Sequence, residues 1–364
     1  MPLKSDPRRE RRDSLIRLLQ QHKAQAIAIT HLPNVRYLCG FTGSNALLLI
    51  SARESILFTD PRYDIQAASE SDVPVRVVRG ALWNDAAKEI RHRRLFRLAL
   101  ESDKVSHADW DAIGSHIGAR ARLLPVQGLV EALRAVKSPD EIDKIRRSVA
   151  LNSQALVLTL PLLKPGMTEL EVAAELDYRM RRLGAEGTAF ETIVACGRRS
   201  ALPHARPTSE RLKNNRLLLI DMGASLEGYA SDMTRVFHLG KPGRKVRALY
   251  DMVLEAQLAA VAAVRPGATC AQVDLAARET LRRHRHDQFF THSTGHGLGL
   301  EIHEGPRLGA KVESVLLPGM VVTIEPGVYL EGFGGIRIED TVLVTKTGVE
   351  VLTPSTKEFL EIAS

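Results

Sequence analysis

Long hydrophobic runs are missing from this 364-residue chain, and cysteines and aromatics are scarce. The longest apolar stretches, such as NALLLI and RLLLIDM, are strand-sized, far below the ~18 residues that a bilayer-spanning helix needs. No membrane association is expected. The three cysteines, Cys39, Cys196 and Cys270, are odd in number and far apart. That spacing argues against a disulfide framework or a zinc knuckle and for buried reduced thiols, with the cytoplasm as the expected compartment. Aromatics are 5% of the residues and do not interleave with a basic stripe, so the net charge of +7 does not by itself suggest nucleic-acid binding. Much of that charge lies in the opening MPLKSDPRRERRD, read as a frayed terminus or first helix turn rather than a nucleic-acid arm. The opening has no apolar core segment, so no secretory signal is expected.

What is present is ordinary for a globular protein: 44% hydrophobic and 26% charged residues, at a length that suggests two domains. Residues 1–130 alternate strand-like runs (QAIAIT, ALLLIS, ESILFTD, VPVRVVRG, RLALES) with helical spacing in DPRYDIQAASE and LWNDAAKEIRHR. This pattern predicts an α/β domain with a mixed sheet. Ser138, Pro139 and Glu141 then form an N-cap, N1 and N3 signature that opens a helix. A domain boundary is placed just before it, near residue 132.

The second half repeats itself. KPGMTELEVAAELDYRMRRLG (164–184) aligns with RPGATCAQVDLAARETLRRHR (265–285). Further on, NRLLLIDMGA aligns with GMVVTIEPGV, and YASDMTRVF with GIRIEDTVLV. These matches set Asp221 against Glu325 and Asp232 against Glu339, at offsets that drift from 101 to 104 to 107. A pseudo-twofold domain would gather the four acids at its centre. If SLEG is a four-residue hairpin loop, Ala224 pairs with Tyr229 and Asp221 stands directly across from Asp232. Opposed carboxylates at ~5 Å repel by roughly 3 kcal/mol at an effective dielectric of ~20, and a bound cation reverses the sign. The second hairpin places Glu325 and Glu339 about Gly332, with Arg337 on the same strand face as Glu339. The bland alternative is neutralisation of each acid by a neighbour such as Arg235 or Arg337.

GHGLGLEIHE (295–304) is open to several readings: a phosphate-cradling loop, a nucleophile loop, a metal site, or a glycine-rich strand with two satisfied histidines. A phosphate loop fits poorly, because no Lys-Ser/Thr follows and no helix opens there. With four carboxylates elsewhere, His296 supplies the one nitrogen of an oxygen-rich site for two bridged divalent ions. Such a donor set favours Mn²⁺, with Co²⁺, Zn²⁺ or Fe²⁺ as alternatives.

On these residues the chain resembles the pita-bread metallopeptidases, which comprise methionine aminopeptidase, aminopeptidase P and prolidase. The ligand pattern Asp221, Asp232, His296, Glu325 and Glu339 is intact, within IDMGA, SDMTRVF, GHGLGLEIHE, TIEPGVY and GIRIEDTVLV. NVRYLCGFTGSNALLLI and TDPRYDIQA resemble the N-terminal domain of the proline-specific members. The resemblance implies an α/β (α+β) fold, with a creatinase/prolidase-like mixed-sheet domain over 1–132 and a pseudo-twofold pita-bread catalytic domain over 133–364. It implies two divalent ions per subunit, a homodimer, and hydrolysis of peptides with proline second. His204, His303 and Glu325 match catalytic positions, with His204 as oxyanion donor and Glu325 as proton shuttle. His292, Tyr329 and Arg337 match substrate-side positions. Intact metal carboxylates argue against a creatinase-type enzyme. FTGSNALLLI favours an aminopeptidase P type exopeptidase, the alternative being an Xaa-Pro dipeptidase (prolidase) and the remote one a non-catalytic pita-bread binding protein. His22, His31, His92, His107, His116, His238, His284 and His286 are expected to be plain polar residues, and Glu301 and Glu304 unimportant. The glycines of GHGLGLEIHE are expected to let the backbone run close to metals and peptide.

Overall fold

A computed structural model describes residues 7–362, and the chain divides into two compact units between Arg134 and Ala135. The first unit is built on β1 (Ala26–Ile29), β2 (Ala46–Ser51), β3 (Ser55–Thr59), β4 (Val75–Val77), β5 (Arg97–Glu101) and β6 (Arg122–Val126). They form one mixed sheet in the order β4-β3-β2-β1-β5-β6. The central strands are buried and apolar on both faces, as helix-covered sheets require. β6 is the strand that periodicity does not announce, since RLLPV is half exposed and contains a proline.

Of the basic opening, residues 1–6 lie outside the described residues; the rest is not frayed. It forms α1 (Pro7–Gln21), in which Arg12 is buried and Arg8 half-buried, while Arg9 and Arg17 are exposed. Arg12 donates to the Leu38 carbonyl at 2.6 Å and pairs with Asp72 at 2.8 Å, while Arg8 donates to the carbonyls of Cys39 and Glu70. Two of those acceptors, the Leu38 and Cys39 carbonyls, lie at the C-terminus of α2 (Leu32–Cys39), where uncapped carbonyls attract cations. α2 carries sequence signals of its own, Pro33 in its first turn and Gly40 at φ 87° as its C-cap. The other helices of this unit are α3 (Asp64–Glu70), α4 (Leu82–His92), α5 (His107–Ile117) and α6 (Leu129–Ala135).

In the second unit, α7 (Pro139–Thr159) starts at the Ser138–Glu141 capping box, with both reciprocal bonds made. The internal repeat is visible as α8 (Glu169–Arg182) and α10 (Cys270–Arg283), each opened by a threonine capping box; α9 (Arg244–Ala263) lies between them in sequence. The first half supplies β7 (Gly187–Thr188), β8 (Ile193–Cys196), β9 (Arg216–Met222), β10 (Ala224–Leu226), β11 (Tyr229–Ala230) and β12 (Met233–Leu239). The second supplies β13 (Gly295–Gly297), β14 (Glu304–Leu308), β15 (Val321–Ile324), β16 (Gly327–Leu330), β17 (Gly334–Arg337) and β18 (Asp340–Val344). Adding β19 (Val349–Val351) and β20 (Glu361–Ile362) gives sheets β20-β12-β9-β8 and β14-β13-β15-β18-β19, with β16-β17 as a ribbon. The period of two along β9 sends Leu217 and Leu219 to a core shared with α9, α10 and β15, and Leu218 and Ile220 to a core shared with α7 and α8. Both faces are therefore dry, and an acid at the end of such a strand has little access to water.

All three cysteines are buried and free, and burial raises the Cys39 and Cys270 thiols to about 11. They are packing residues. Among the described residues no helix is long and apolar enough to cross a membrane.

Candidate metal centre and active site

The first hairpin turns at Glu227 and Gly228, both at positive φ (50° and 78°), which is the two-residue type I′ turn. Leu226 therefore pairs with Tyr229 and Met222 with Met233, so Asp221 stands opposite Thr234 rather than Asp232. The expected four-residue loop is two residues too long, because Ser225 and Leu226 continue the ladder. Asp232 and Asp221 are diagonal neighbours on one face. The second hairpin is as its sequence suggests. Pairs Ile324↔Asp340 and Gly327↔Arg337 bracket Glu325 and Glu339 in one register centred on Gly332.

The two hairpins bring all four acids to one cavity of about 680 Å³, lined also by His204, His292, His296, His303 and Arg337. Ligand atoms of Asp232, His296 and Glu339 lie within 4.8 Å of one another. His296 Nδ1 faces the Gly297 carbonyl at 3.0 Å and must donate to it, which leaves Nε2 as a bare lone pair. That lone pair points at Asp232 Oδ2 and Glu325 Oε1, each 3.5 Å away. Asp221 Oδ1 and Glu339 Oε1 are buried with no hydrogen-bond partner. Acceptors thus converge on one another, and buried orphan acceptors cost ~1–3 kcal/mol each. A divalent ion is the group that fits this donor set.

Protonation answers the same conflict when no ion is present. Burial, reinforced by the neighbouring acids, holds Asp232 and Glu339 well above the ordinary carboxylate range. Burial likewise raises Glu325 to about 8. Burial, with a contribution from His303, drops His296 to about 4, so its ring is neutral and ready to ligate. At Asp221, Arg337 Nη2 donates to Oδ2 at 2.5 Å. Neutralisation of an acid by a neighbour therefore holds for Asp221 alone, since Arg235 pairs with Asp340 instead.

Arg337 also ties the histidines together. Its Nη1 donates to the Tyr329 hydroxyl at 2.8 Å and to the Pro203 carbonyl, next to His204, at 3.1 Å. Tyr329 in turn meets His292 Nε2 at 2.8 Å, and His292 Nδ1 meets the Ser293 carbonyl at 2.8 Å. The carbonyl can only accept, so the proton order is fixed along the chain from Arg337 through Tyr329 to a neutral His292. Burial, helped by Arg337, lowers His292 to about 4. His204 and His303 are exposed at the cavity wall, with the His303 ring 4.4 Å from that of His296. His303 lies between β13 and β14 rather than along one strand.

The three glycines of GHGLG lie close to other parts of the chain. A Cβ on Gly295 would strike the Thr323 carbonyl at 1.9 Å, and one on Gly297 the Gly305 carbonyl at 2.1 Å. On Gly299 it would meet the Glu304 carboxylate at 2.7 Å. At Gly295 and Gly297 the backbone of the neighbouring strand already excludes a side chain. Glu304 is not idle either. It lines the cavity and forms a buried ion pair with Lys137 at 3.0 Å.

Several supporting residues escape a reading of the sequence. Thr234 Oγ1 donates to Glu339 Oε2 at 2.6 Å, and Thr341 Oγ1 donates to the Asp232 carbonyl at 2.9 Å. The signal was there, since both halves read acid-x-Thr, at Asp232–Thr234 and Glu339–Thr341. Thr323 bonds both the His296 amide and Glu325. Phe190, Glu191, Arg206, Ile302 and Arg307 line the cavity mouth, and Glu191 pairs with Arg206 at 3.1 Å.

Comparison with known proteins agrees with this geometry. Residues 143–346 match metallopeptidase family M24, and residues 11–136 match the creatinase/prolidase N-terminal domain. An Xaa-Pro dipeptidase of Pyrococcus furiosus is 35% identical over 97% of this chain and 100% of its own length. The structure of an Xaa-Pro dipeptidase from Bacillus anthracis superposes with a TM-score of 0.94 at 36% identity, covering 97% of this chain and 99% of that one. An X-Pro aminopeptidase from Thermotoga maritima gives 0.89 at 38% identity, covering 94% and 99%. The chain belongs to metallopeptidase family M24, with a creatinase/prolidase N-terminal domain ahead of a pita-bread domain.

Proposed function

We propose that the protein is a divalent-metal-dependent Xaa-Pro dipeptidase. The observation that carries the subtype is Arg307, a cation at the cavity mouth with no ion-pair partner among the described residues. A dipeptide places its C-terminal carboxylate one residue from the scissile bond, where a guanidinium can hold it with two bonds. A longer peptide has no carboxylate there. The relatives named Xaa-Pro dipeptidase support the same reading, and it replaces the aminopeptidase P type suggested by FTGSNALLLI.

Asp221, Asp232, His296, Glu325 and Glu339 would hold two ions, with Mn²⁺ the expected metal. Bound ions supply Lewis-acid polarisation of the scissile carbonyl and a water acidic enough to act near neutral pH. The chain's own groups do the rest. Arg337 pairs with Asp221 and, through the Pro203 carbonyl, holds the His204 loop in place. His204 donates a ring N–H toward the developing oxyanion. Glu325 takes a proton from the attacking water at a carboxylate oxygen and gives it to the proline nitrogen as the C–N bond breaks. His303 orients the substrate carbonyl. Neutral His292, held by Tyr329, lines the leaving-group side, while Phe190 and Ile302 exclude water.

An aminopeptidase P type activity is the second reading, favoured by the likeness to the Thermotoga maritima enzyme. Steady-state hydrolysis of Ala-Pro against Ala-Pro-Ala separates them. Exclusive or strongly preferred turnover of Ala-Pro is expected; preferred turnover of the tripeptide returns the aminopeptidase reading.

A further inference from the structure

We infer that Asp274 and Arg278, four residues apart on α10, are positioning residues that fix the chain segment bearing His292. Neither lines the cavity. The Asp274 side chain is fully buried, and its Oδ1 accepts from both the amide (3.2 Å) and the hydroxyl (2.9 Å) of Thr294. Its Oδ2 accepts from Arg278 Nε at 2.7 Å. Arg278 then donates Nη1 to the Phe290 carbonyl at 3.0 Å and Nη2 to the His292 carbonyl at 2.6 Å, with its guanidinium 4.3 Å over the Phe290 ring. One acid and one arginine thereby grip positions 290, 292 and 294 in succession.

This segment needs such a grip because it precedes β13 and belongs to no strand. Its placement matters at two points of the site. The Thr294 carbonyl accepts the Glu325 amide at 2.8 Å, and the His292 ring ends the chain from Arg337 through Tyr329. A guanidinium suits the task because its planar fork serves the acid and two carbonyls at once. A lysine ammonium offers a point charge without that fork. The pair acts through His292 and Glu325, not on substrate.

The kinetic half of this inference rests on the proposed Xaa-Pro hydrolysis; the structural half does not. The test compares wild type, Arg278→Lys and Asp274→Asn, zinc-loaded, by kcat and KM on Ala-Pro and by the imidazole ¹⁵N spectrum of His292. Arg278→Lys keeps a charge on Asp274, and Asp274→Asn keeps an oxygen for Thr294. In Arg278→Lys, kcat is expected to fall by about 10- to 100-fold, the scale of a ~1 Å misplacement, with KM nearly unchanged. The His292 signal is expected to lose its single Nδ1–H form while that of His296 persists. Asp274→Asn changes both readouts in the same direction. Folded variants with wild-type kcat and an intact His292 signal would overturn the inference. If wild type turns over no Xaa-Pro substrate, the proposed function falls and the His292 signal alone decides: its loss supports positioning and its retention refutes it.

Discussion

His296 and His292 share one local device and use it for different ends. In each ring Nδ1–H donates to a nearby backbone carbonyl, so Nε2 is left as an acceptor. For His296 that lone pair faces carboxylates and calls for a cation; for His292 it takes the Tyr329 hydroxyl proton. A residue's neighbours, not its type, separate ligand from orienting group. Arg307 can be tested on the same footing. If it binds the carboxylate of a dipeptide, Arg307→Gln raises KM for Ala-Pro by about 10- to 100-fold, the worth of ~1.5–3 kcal/mol for a charged hydrogen bond. KM for Ala-Pro-amide, which has no carboxylate, should barely change. Steady-state kinetics on the two substrates provides the check, and an equal rise for both would remove Arg307 from carboxylate binding.

At the scale of hairpins and loops, legibility in the sequence depended on the turn. Gly332 at φ 74° marks the centre of the second hairpin, and Glu325 and Glu339 could be aligned about it. The first hairpin hid its turn, because Ser225 and Leu226 look like loop but pair as strand. The register therefore moved by two residues, which keeps side chains on the same face and spared the ligand grouping from error. Contacts such as Asp274 to Thr294 or Thr234 to Glu339 join residues 20 and 105 positions apart, and no local periodicity encodes them. The glycines of β13 and its flank were legible as a close approach, but not what approached. Gly297→Ala is expected to push Gly305 away, costing ~1–3 kcal/mol as overpacking does, and to shift His296. A melting midpoint lower by several degrees, together with metal affinity reduced at least about tenfold for lost ligand geometry, should appear in thermal melts and metal titration. Unchanged affinity would show that the β13–β14 contact does not set the ligand.

Across the whole molecule, the repeat was readable because both halves keep the same order of capping box, helix and acid-bearing hairpin. What it builds is a centre in which folding and ion binding are linked. Metal-free, Glu325 at about 8 and the raised Asp232 and Glu339 hold protons that the unfolded chain releases near its ordinary carboxylate range. Their contribution to stability is complete below that range and is lost as pH rises through the folded value. His292 and His296, lowered to about 4 from 6.5, act in the opposite sense, but only below 6.5. Between pH 6.5 and 8 the metal-free protein is therefore expected to lose thermal stability steadily. The Mn²⁺-loaded protein should not, because ions then occupy the place of those protons. Melts of both forms across this window check the sign, and a metal-free midpoint that rises would contradict it.

The most direct measurement is Ala-Pro hydrolysis while chelator-treated protein is titrated with Mn²⁺. No turnover is expected without metal, then activity that grows and saturates as two ions per chain are bound. Hydrolysis undiminished in excess chelator, or none at any metal load, would contradict the claim that these four acids and His296 form the hydrolytic centre.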